Sequence, residues 1–263
     1  MDTFNRVDRM VVAGHRGAKK IWPENTALGF IEAIRLGCDL IETDLHFTKD
    51  KQIVLIHDFT LDRTTNATGV VEEHTLAELK KLDVCCKCAD TKGFVGDAND
   101  PRYKNERILT LEEFLDLMKN EKVNLLIEFK GDNLELVDRT MEIFKTYRMA
   151  GRSTFTSFYV KLIEYLHDAY GVRTEGKLKR QLKDQQLFVD GPGGTYSKMY
   201  SVGLEMPEVT AENVAMLRSY GVHPWAWCPD TEEQVKKCIE LGIEGITCND
   251  PRPALKLIRG MNF

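Results

Sequence analysis

VVAGHRGAKKIWPENTALGFIEAIRLGCDLIETDL, residues 11–45, holds one complete strand–helix–strand unit. Val11-Val12-Ala13-Gly14 is a short apolar run that reads as a buried strand. Thr26 to Leu36 sets Ala27, Phe30, Ile31 and Ile34 at helical spacing, and Gly37 follows as a C-terminal stop. Leu40 to Leu45 is the second strand. The same rhythm continues downstream, with strands expected at Val123 to Phe129, Ser153 to Thr156, Val172 to Thr174, Ser201 to Leu204, Val222 to Trp227 and Gly245 to Cys248. Helices are expected at Leu111 to Lys119, which Thr110 can cap, and at Leu134 to Tyr147, Tyr159 to Ala169, Ala211 to Tyr220, Thr231 to Leu241 and Pro253 to Arg259. Eight strand candidates alternating with helices imply a parallel sheet with helices outside. At 263 residues, eight such units fit one α/β domain, a closed TIM (β/α)8 barrel spanning 1–263. An open doubly wound sheet would more often carry a Gly-x-Gly-x-x-Gly turn after its first strand, and Gly14-His15-Arg16-Gly17 is not one.

Two stretches break the rhythm. Residues 46–109, between strand two and the next helix, are too long for an ordinary loop. They contain an apolar run, Gln52 to Ile56, able to fold back on strand two across Thr48-Lys49-Asp50-Lys51. The polar remainder, Cys85 to Glu106, predicts a small inserted lobe over the barrel mouth. Residues 176–200 include Gly191-Pro192-Gly193-Gly194, a flexible loop by composition.

With 43% hydrophobic and 29% charged residues, the composition is that of an ordinary globular chain. A net charge of -5 provides no basic excess, so neither nucleic acid nor an anionic membrane is expected as a partner. The opening Met1-Asp2-Thr3-Phe4-Asn5-Arg6 has no apolar leader, and no run reaches transmembrane length; a cytoplasmic location is the expectation. Seven cysteines, an odd number, argue against a disulfide framework. Cys85, Cys86 and Cys88 lack the paired spacing and the fourth ligand of a zinc site, and are expected as reduced thiols.

Glu42 and Asp44 stand two apart on a strand and so share one face. Inside a barrel, near the C-terminal strand ends, two carboxylates repel each other unless a cation neutralises them. Hard oxygen ligands suit Mg²⁺ or Ca²⁺; the alternative is a solvated pair at an edge. Glu128 ends the run Leu125-Leu126-Ile127 and is the natural third ligand, with Lys130 two residues on along the same face; a structural Glu128–Lys130 ion pair is the competing reading. His15 and Arg16 follow strand one, joining a side chain suited to proton transfer at neutral pH to a planar fork suited to phosphate oxygens. A hairpin turning between Asp50 and Lys51 would set His57 across from Asp44. His46, His74, His167 and His223 have no comparable setting and are expected as packing or surface residues.

These residues resemble the glycerophosphodiester phosphodiesterase family. The similarity runs through Gly14-His15-Arg16-Gly17, Pro23-Glu24-Asn25-Thr26, Ile41-Glu42-Thr43-Asp44, Thr48-Lys49-Asp50, His57-Asp58 and Leu61-Asp62-Arg63-Thr64-Thr65. It continues at Ile127-Glu128-Phe129-Lys130, at Trp225, and at Gly242-Ile243-Glu244-Gly245-Ile246-Thr247 before Pro251. The resemblance implies a metal-dependent barrel hydrolysing small-molecule glycerophosphodiesters to glycerol 3-phosphate and an alcohol. It implies one divalent cation, Mg²⁺ or Ca²⁺, held by Glu42, Asp44 and Glu128. His15 and His57 would be the acid/base pair, with His15 as base, Arg16 and Lys130 the phosphate contacts, and Trp225 a wall on the alcohol side. Two departures stand out: Lys51 replaces the glycine usual after Thr-Lys-Asp, and Trp227-Cys228 replaces the usual Val-Asn. A lysophospholipase D-like activity on the same barrel would need an apolar lip, for which Phe94, Val95 and Met199 are too few. A non-catalytic binding barrel would have lost part of the five-residue set.

Overall fold

The computed structural model describes residues 10–263, so the N-terminal stretch read above for a leader lies outside the described residues. In chain order the strands are β1 (Val11–Gly14), β2 (Leu40–Phe47), β3 (Ile53–Leu55), β4 (Asn124–Phe129), β5 (Ser153–Thr156), β6 (Arg173–Gly176), β7 (Ser201–Glu205), β8 (His223–Trp227) and β9 (Gly245–Cys248). All but β3 pair in parallel, and β1 bonds both β2 and β9, which closes an eight-stranded barrel. Helices α1 (Ala27–Leu36), α3 (Leu111–Met118), α4 (Leu134–Tyr147), α5 (Val160–Tyr170), α6 (Ala211–Ser219), α7 (Glu232–Glu240) and α8 (Arg252–Arg259) connect or follow them, while α2 (Leu76–Leu79) belongs to the insertion. Between β6 and β7 the chain forms only short 3₁₀ turns, the stretch read as a loop. No helix among the described residues is long and apolar enough to cross a membrane.

Strand parity divides the barrel into two environments. Outward-facing Ile41, Leu45, Leu125, Ile127 and Phe129 pack beneath the helices with Phe30, Phe114 and Phe144. Inward, Val11, Ala13, Leu40, Leu126 and Trp225 form a separate apolar floor. Two residues beyond that floor on their strands stand His15, Glu42, Glu128 and Trp227, so the interior turns from apolar to charged within one layer.

β3 folds against β2 in the expected hairpin, but pairing Leu45 with Leu55 and Phe47 with Ile53. The register is therefore one residue away from the expected one, and Ile56, not His57, bonds to Asp44, through its N–H to the Asp44 carbonyl at 3.2 Å. The cause is the turn. Lys51 donates its N–H to Thr48 and takes φ +59°, so the loop has five residues with a left-handed fourth position, where a glycine would sit without strain.

The insertion has its own core. Leu61, Val71, Leu79, Val84, Tyr103 and Ile108 pack with Val54 and Ile56 of the hairpin, and the Cys85 and Cys88 thiols are buried among them. Burial pushes both thiols up, which favours their protonated form. Among the described residues, Glu42, Asp44 and Glu128 form the one acidic, histidine or cysteine cluster fitted to hold a metal ion.

Candidate active site

Strand register gathers the site. β1 lies beside β9 with Gly14 opposite Cys248, and beside β2 with Gly14 opposite Ile41, so Asn249, His15 and Glu42 come into one row. β2 lies beside β4 with Asp44 opposite Glu128. The turn after β1 leaves the ordinary backbone regions: Arg16 has φ +52° and Gly17 φ +78°. Arg16 is held there by its N–H bond to Glu42 Oε2 (2.8 Å) and by its carbonyl, which accepts from the Asn25 N–H (3.0 Å). Gly17 is required on space as well as on φ, since a Cβ would lie 2.6 Å from the Gly29 carbonyl carbon.

Glu42, Asp44 and Glu128 each present an oxygen within 4.8 Å of the others. Ligands on opposite sides of one ion stand roughly 4.6–5.2 Å apart for Ca²⁺ and about 4.0–4.2 Å for Mg²⁺, so the cluster fits Ca²⁺ at its full span and Mg²⁺ with a small contraction. Asp44 is fully buried; Asn25 Nδ2 donates to its Oδ2 at 3.0 Å. Lys130 Nζ lies 2.9 Å from Asp44 Oδ1, off the line a hydrogen bond needs, so this buried oxygen accepts no hydrogen bond. Arg16 Nε, 3.3 Å from Asp44 Oδ2, is likewise a buried donor with no aligned acceptor. An orphaned acceptor beside two further carboxylates fits a cation, and an orphaned guanidinium donor beside it fits an oxyanion.

The electrostatics agree. Burial, then the neighbouring Asp44 charge, raises Glu42 well above the usual carboxylate range. For Asp44, burial pulls the same way but is outweighed by Lys130 and Arg16, which hold it well below. Once ionised, the three carboxylates outnumber Lys130 and an Arg16 that is shared with Glu24, and a bound divalent ion would offset that excess. Lys130 also pairs with Glu128, so the competing ion-pair reading is present inside the cluster rather than in place of it.

His15 is 14% exposed at its side chain, and its Nε2 points to Glu42 Oε2 at 3.8 Å. Its Nδ1 lies 2.5 Å from Asn249 Oδ1. Asn249 donates through Nδ2 to Asp230 Oδ2 (2.8 Å), which fixes its amide so that Oδ1 must face the imidazole. His15 therefore donates from Nδ1 and carries its lone pair on Nε2. Burial, then the charges of Arg16 and Lys19, lowers its pKa well below the usual value, so it stays neutral. His57 is paired differently: its Nδ1 lies 2.6 Å from Asp58 Oδ1. Arg63 binds Asp58 at 2.7 Å and also Glu24 at 2.8 Å, and Glu24 in turn holds Arg16 at 3.1 Å.

His15, Arg16, Glu42, His57, Glu128 and Lys130 border one cavity of about 180 Å³. Its far wall is Phe158, Glu175, Lys177 and Trp227. Trp225, expected as a wall, sits one layer deeper in the apolar floor, 5% exposed, with its Nε1 donating to Thr247 Oγ1 at 3.0 Å. Trp227 occupies the wall instead. Both are inward by parity, but only the second reaches the charged layer. Sequence reasoning assigned no role to Asn25, Asn249, Asp230 or the Glu175–Lys177 pair (2.7 Å); the last had a signal, two charges at strand spacing across the end of β6, like Glu128 and Lys130 across the end of β4. His46 is a packing residue as expected, fully buried, its Nε2 3.3 Å from the His57 carbonyl.

A TIM barrel with acidic, cationic and imidazole groups around one cavity at its C-terminal strand ends belongs to the class of barrel enzymes acting on charged small molecules. The glycerophosphoryl diester phosphodiesterase family matches residues 15–252, and the chain belongs to that family. A glycerophosphodiester phosphodiesterase of Caldanaerobacter subterraneus subsp. tengcongensis is 31% identical over 259 residues, covering 95% of this chain and 98% of the relative. One of Bacillus subtilis is 28% identical, covering 96% and 88%. The fold is shared with a solved Oleispira antarctica phosphodiesterase in complex with the product sn-glycerol-3-phosphate, at TM-score 0.75, 20% identity and coverage of 93% and 94%.

Proposed function

We propose that this protein hydrolyses glycerophosphodiesters to glycerol 3-phosphate and an alcohol, using one divalent cation, Mg²⁺ or Ca²⁺, held by Glu42, Asp44 and Glu128. The observation that carries the reading is the convergence of those three carboxylates with His15, His57, Arg16 and Lys130 around one cavity. When bound, the cation supplies Lewis acidity toward a phosphoryl oxygen and the attacking hydroxyl. The chain's own residues do the rest. Arg16 and Lys130 bind the phosphoryl oxygens and neutralise charge as it builds in the transition state. His15, neutral with Nε2 free, takes the proton of the attacking oxygen. His57, tied to the Asp58 carboxylate, gives a proton to the departing alkoxide. Both imidazoles border the inner cavity but only one opens beyond it, which supports that order. His15 borders the small inner cavity, whereas His57 also opens on a wider groove outside. Trp227 and Phe158 enclose the inner half of the substrate.

Release of glycerol 3-phosphate from a panel of glycerophosphodiesters, with Mg²⁺, Ca²⁺ or EDTA, tests the reading. Turnover that EDTA abolishes and a divalent ion restores is the expected result. His15→Ala and His57→Ala should each lower kcat by about 10²–10⁴; near-normal rates in both variants would remove the assignment.

A further inference from the structure

The inner cavity opens past Arg16 and His57 into a groove of about 730 Å³ between the barrel mouth and the inserted lobe. A diester of constant glycerol and variable alcohol would place its variable half in the roomier space. The groove's charges are unevenly committed. Asp58 is engaged by His57 and Arg63. Asp230 is engaged by Lys20 at 2.8 Å and by Asn249. Lys19 and Lys92 also line the groove, and neither makes an ion pair among the described residues. Lys19 is half-buried beside His15, so its unpaired ammonium is incompletely solvated. Burial and then the charge of Arg16 lower its pKa, against an opposing pull from Glu24. Among the described residues, Asp90 is the one carboxylate lining this groove without a cation partner, and it stands exposed at the rim.

The aromatic faces tell the same story. A quaternary ammonium is best held over tryptophan or phenylalanine rings. Here the Lys177 ammonium already lies 5.3 Å from the Phe158 centroid and 5.9 Å from that of Trp227. Glu175, which lines the same cavity as those rings, is spent on Lys177. Neither compartment offers a cationic headgroup a free aromatic face beside a free buried carboxylate, and both present an ammonium.

We propose that the groove over Lys19 and Lys92 receives the alcohol half of the diester and selects alcohols that carry negative charge, ranking them above neutral polyols and well above choline. This selectivity rests on the phosphodiesterase reading above for its substrate, and on unpaired charge for its direction.

The test compares kcat/KM of the full chain in Mg²⁺ for glycerophosphoinositol, its 4-phosphate and glycerophosphocholine. At low salt the 4-phosphate should exceed its neutral parent by about tenfold, and choline should fall about tenfold below it. The advantage should shrink as ionic strength rises. In Lys19→Met/Lys92→Met the ratio of 4-phosphate to parent should move toward one. Dissociation constants of the same three diesters, measured calorimetrically on the His57→Ala variant, give a readout free of turnover. Equal affinities and equal kcat/KM values, or a preference for choline, would overturn the proposal. Ranked affinities without turnover of any diester by the unsubstituted chain would sink the phosphodiesterase reading and leave the groove's selectivity standing.

Discussion

Replacing Asn249 with alanine removes the acceptor that fixes the His15 tautomer while leaving every charged group of the site in place. In the structure the Nδ1–H of His15 has one good acceptor, Asn249 Oδ1 at 2.5 Å. The alternative is Cys228 Sγ at 3.5 Å, a weak acceptor at long range. A buried hydrogen bond of this kind contributes about 1–1.5 kcal/mol, which corresponds to roughly a tenfold bias in the tautomer ratio. Without it the proton is free to move to Nε2, where it blocks the lone pair that His15 needs as a base. That takes the active tautomer from about nine tenths to about one half, so in Asn249→Ala kcat should fall about twofold, far short of the 10²–10⁴ expected for losing the imidazole outright. KM should change little, because Asn249 touches neither the phosphate contacts nor the carboxylate triad. Steady-state kinetics on a neutral diester would measure the split. Nitrogen chemical shifts of the labelled imidazole would report the tautomer directly. Should the loss appear in KM alone, or kcat fall with Nδ1 still fully protonated, the tautomer argument is wrong and Asn249 acts by some other route.

Divalent-ion binding should stabilise the fold: at one hundred times its dissociation constant an ion adds about 2.7 kcal/mol, or roughly 5–10 °C in Tm. Scanning calorimetry with and without EDTA checks this, and an equal shift in Asp44→Asn would move the ion elsewhere. Glu24, 6% exposed at its side chain, is raised by burial but drawn down further by Arg63 and Arg16, to about 2. A depressed acid contributes stability that is complete above its unfolded value of 4.5 and is lost as pH falls toward about 2. The urea-unfolding advantage of the unsubstituted chain over Glu24→Gln should thus shrink by about 2 kcal/mol between pH 6.5 and pH 3, and parallel pH curves would refute the pairing. Gly17→Ala meets both a left-handed backbone and the Gly29 carbonyl carbon 2.6 Å from its Cβ. It should cost about 2–4 kcal/mol of unfolding free energy, and a Tm within error of the unsubstituted chain would show that the turn gives way.

The barrel was legible because short, mostly buried strands such as Val11–Gly14 and Asn124–Phe129 alternate with periodic helices such as Leu134–Tyr147, so local pattern and global fold point the same way. Ser153–Thr156, Leu134–Tyr147 and Gly245–Cys248 stand where their residues predict. What pattern could not carry was the hairpin register. The expected pairing assumed a four-residue turn, but Lys51 adopts a left-handed conformation that its residue type does not announce, and one residue in the loop shifts every partner on β3. Likewise, nothing local shows that Val84, Cys85 and Cys88 of a polar stretch are buried, because their partners Leu61 and Val71 come from a distant part of the insertion and Val54 from the hairpin.

The same distinction governs the site. Glu42, Asp44, Glu128 and Lys130 were readable because two-residue spacing on a strand is itself a statement about direction. Depth is not contained in parity. Trp225 and Trp227 have the same parity, and choosing between them requires knowing how far each strand is staggered relative to its neighbours, which the pairing of Trp225 with Gly245 and of Trp227 with Thr247 supplies. Gly245 makes the choice physical: a Cβ there would lie 2.2 Å from the Trp225 ring, so the indole lies across the glycine and fills the floor. The barrel thus uses one tryptophan to seal the apolar layer and the next to wall the charged one. The charged wall is itself capped, because the Lys177 ammonium, paired with Glu175, already lies 5.9 Å from the Trp227 ring centroid.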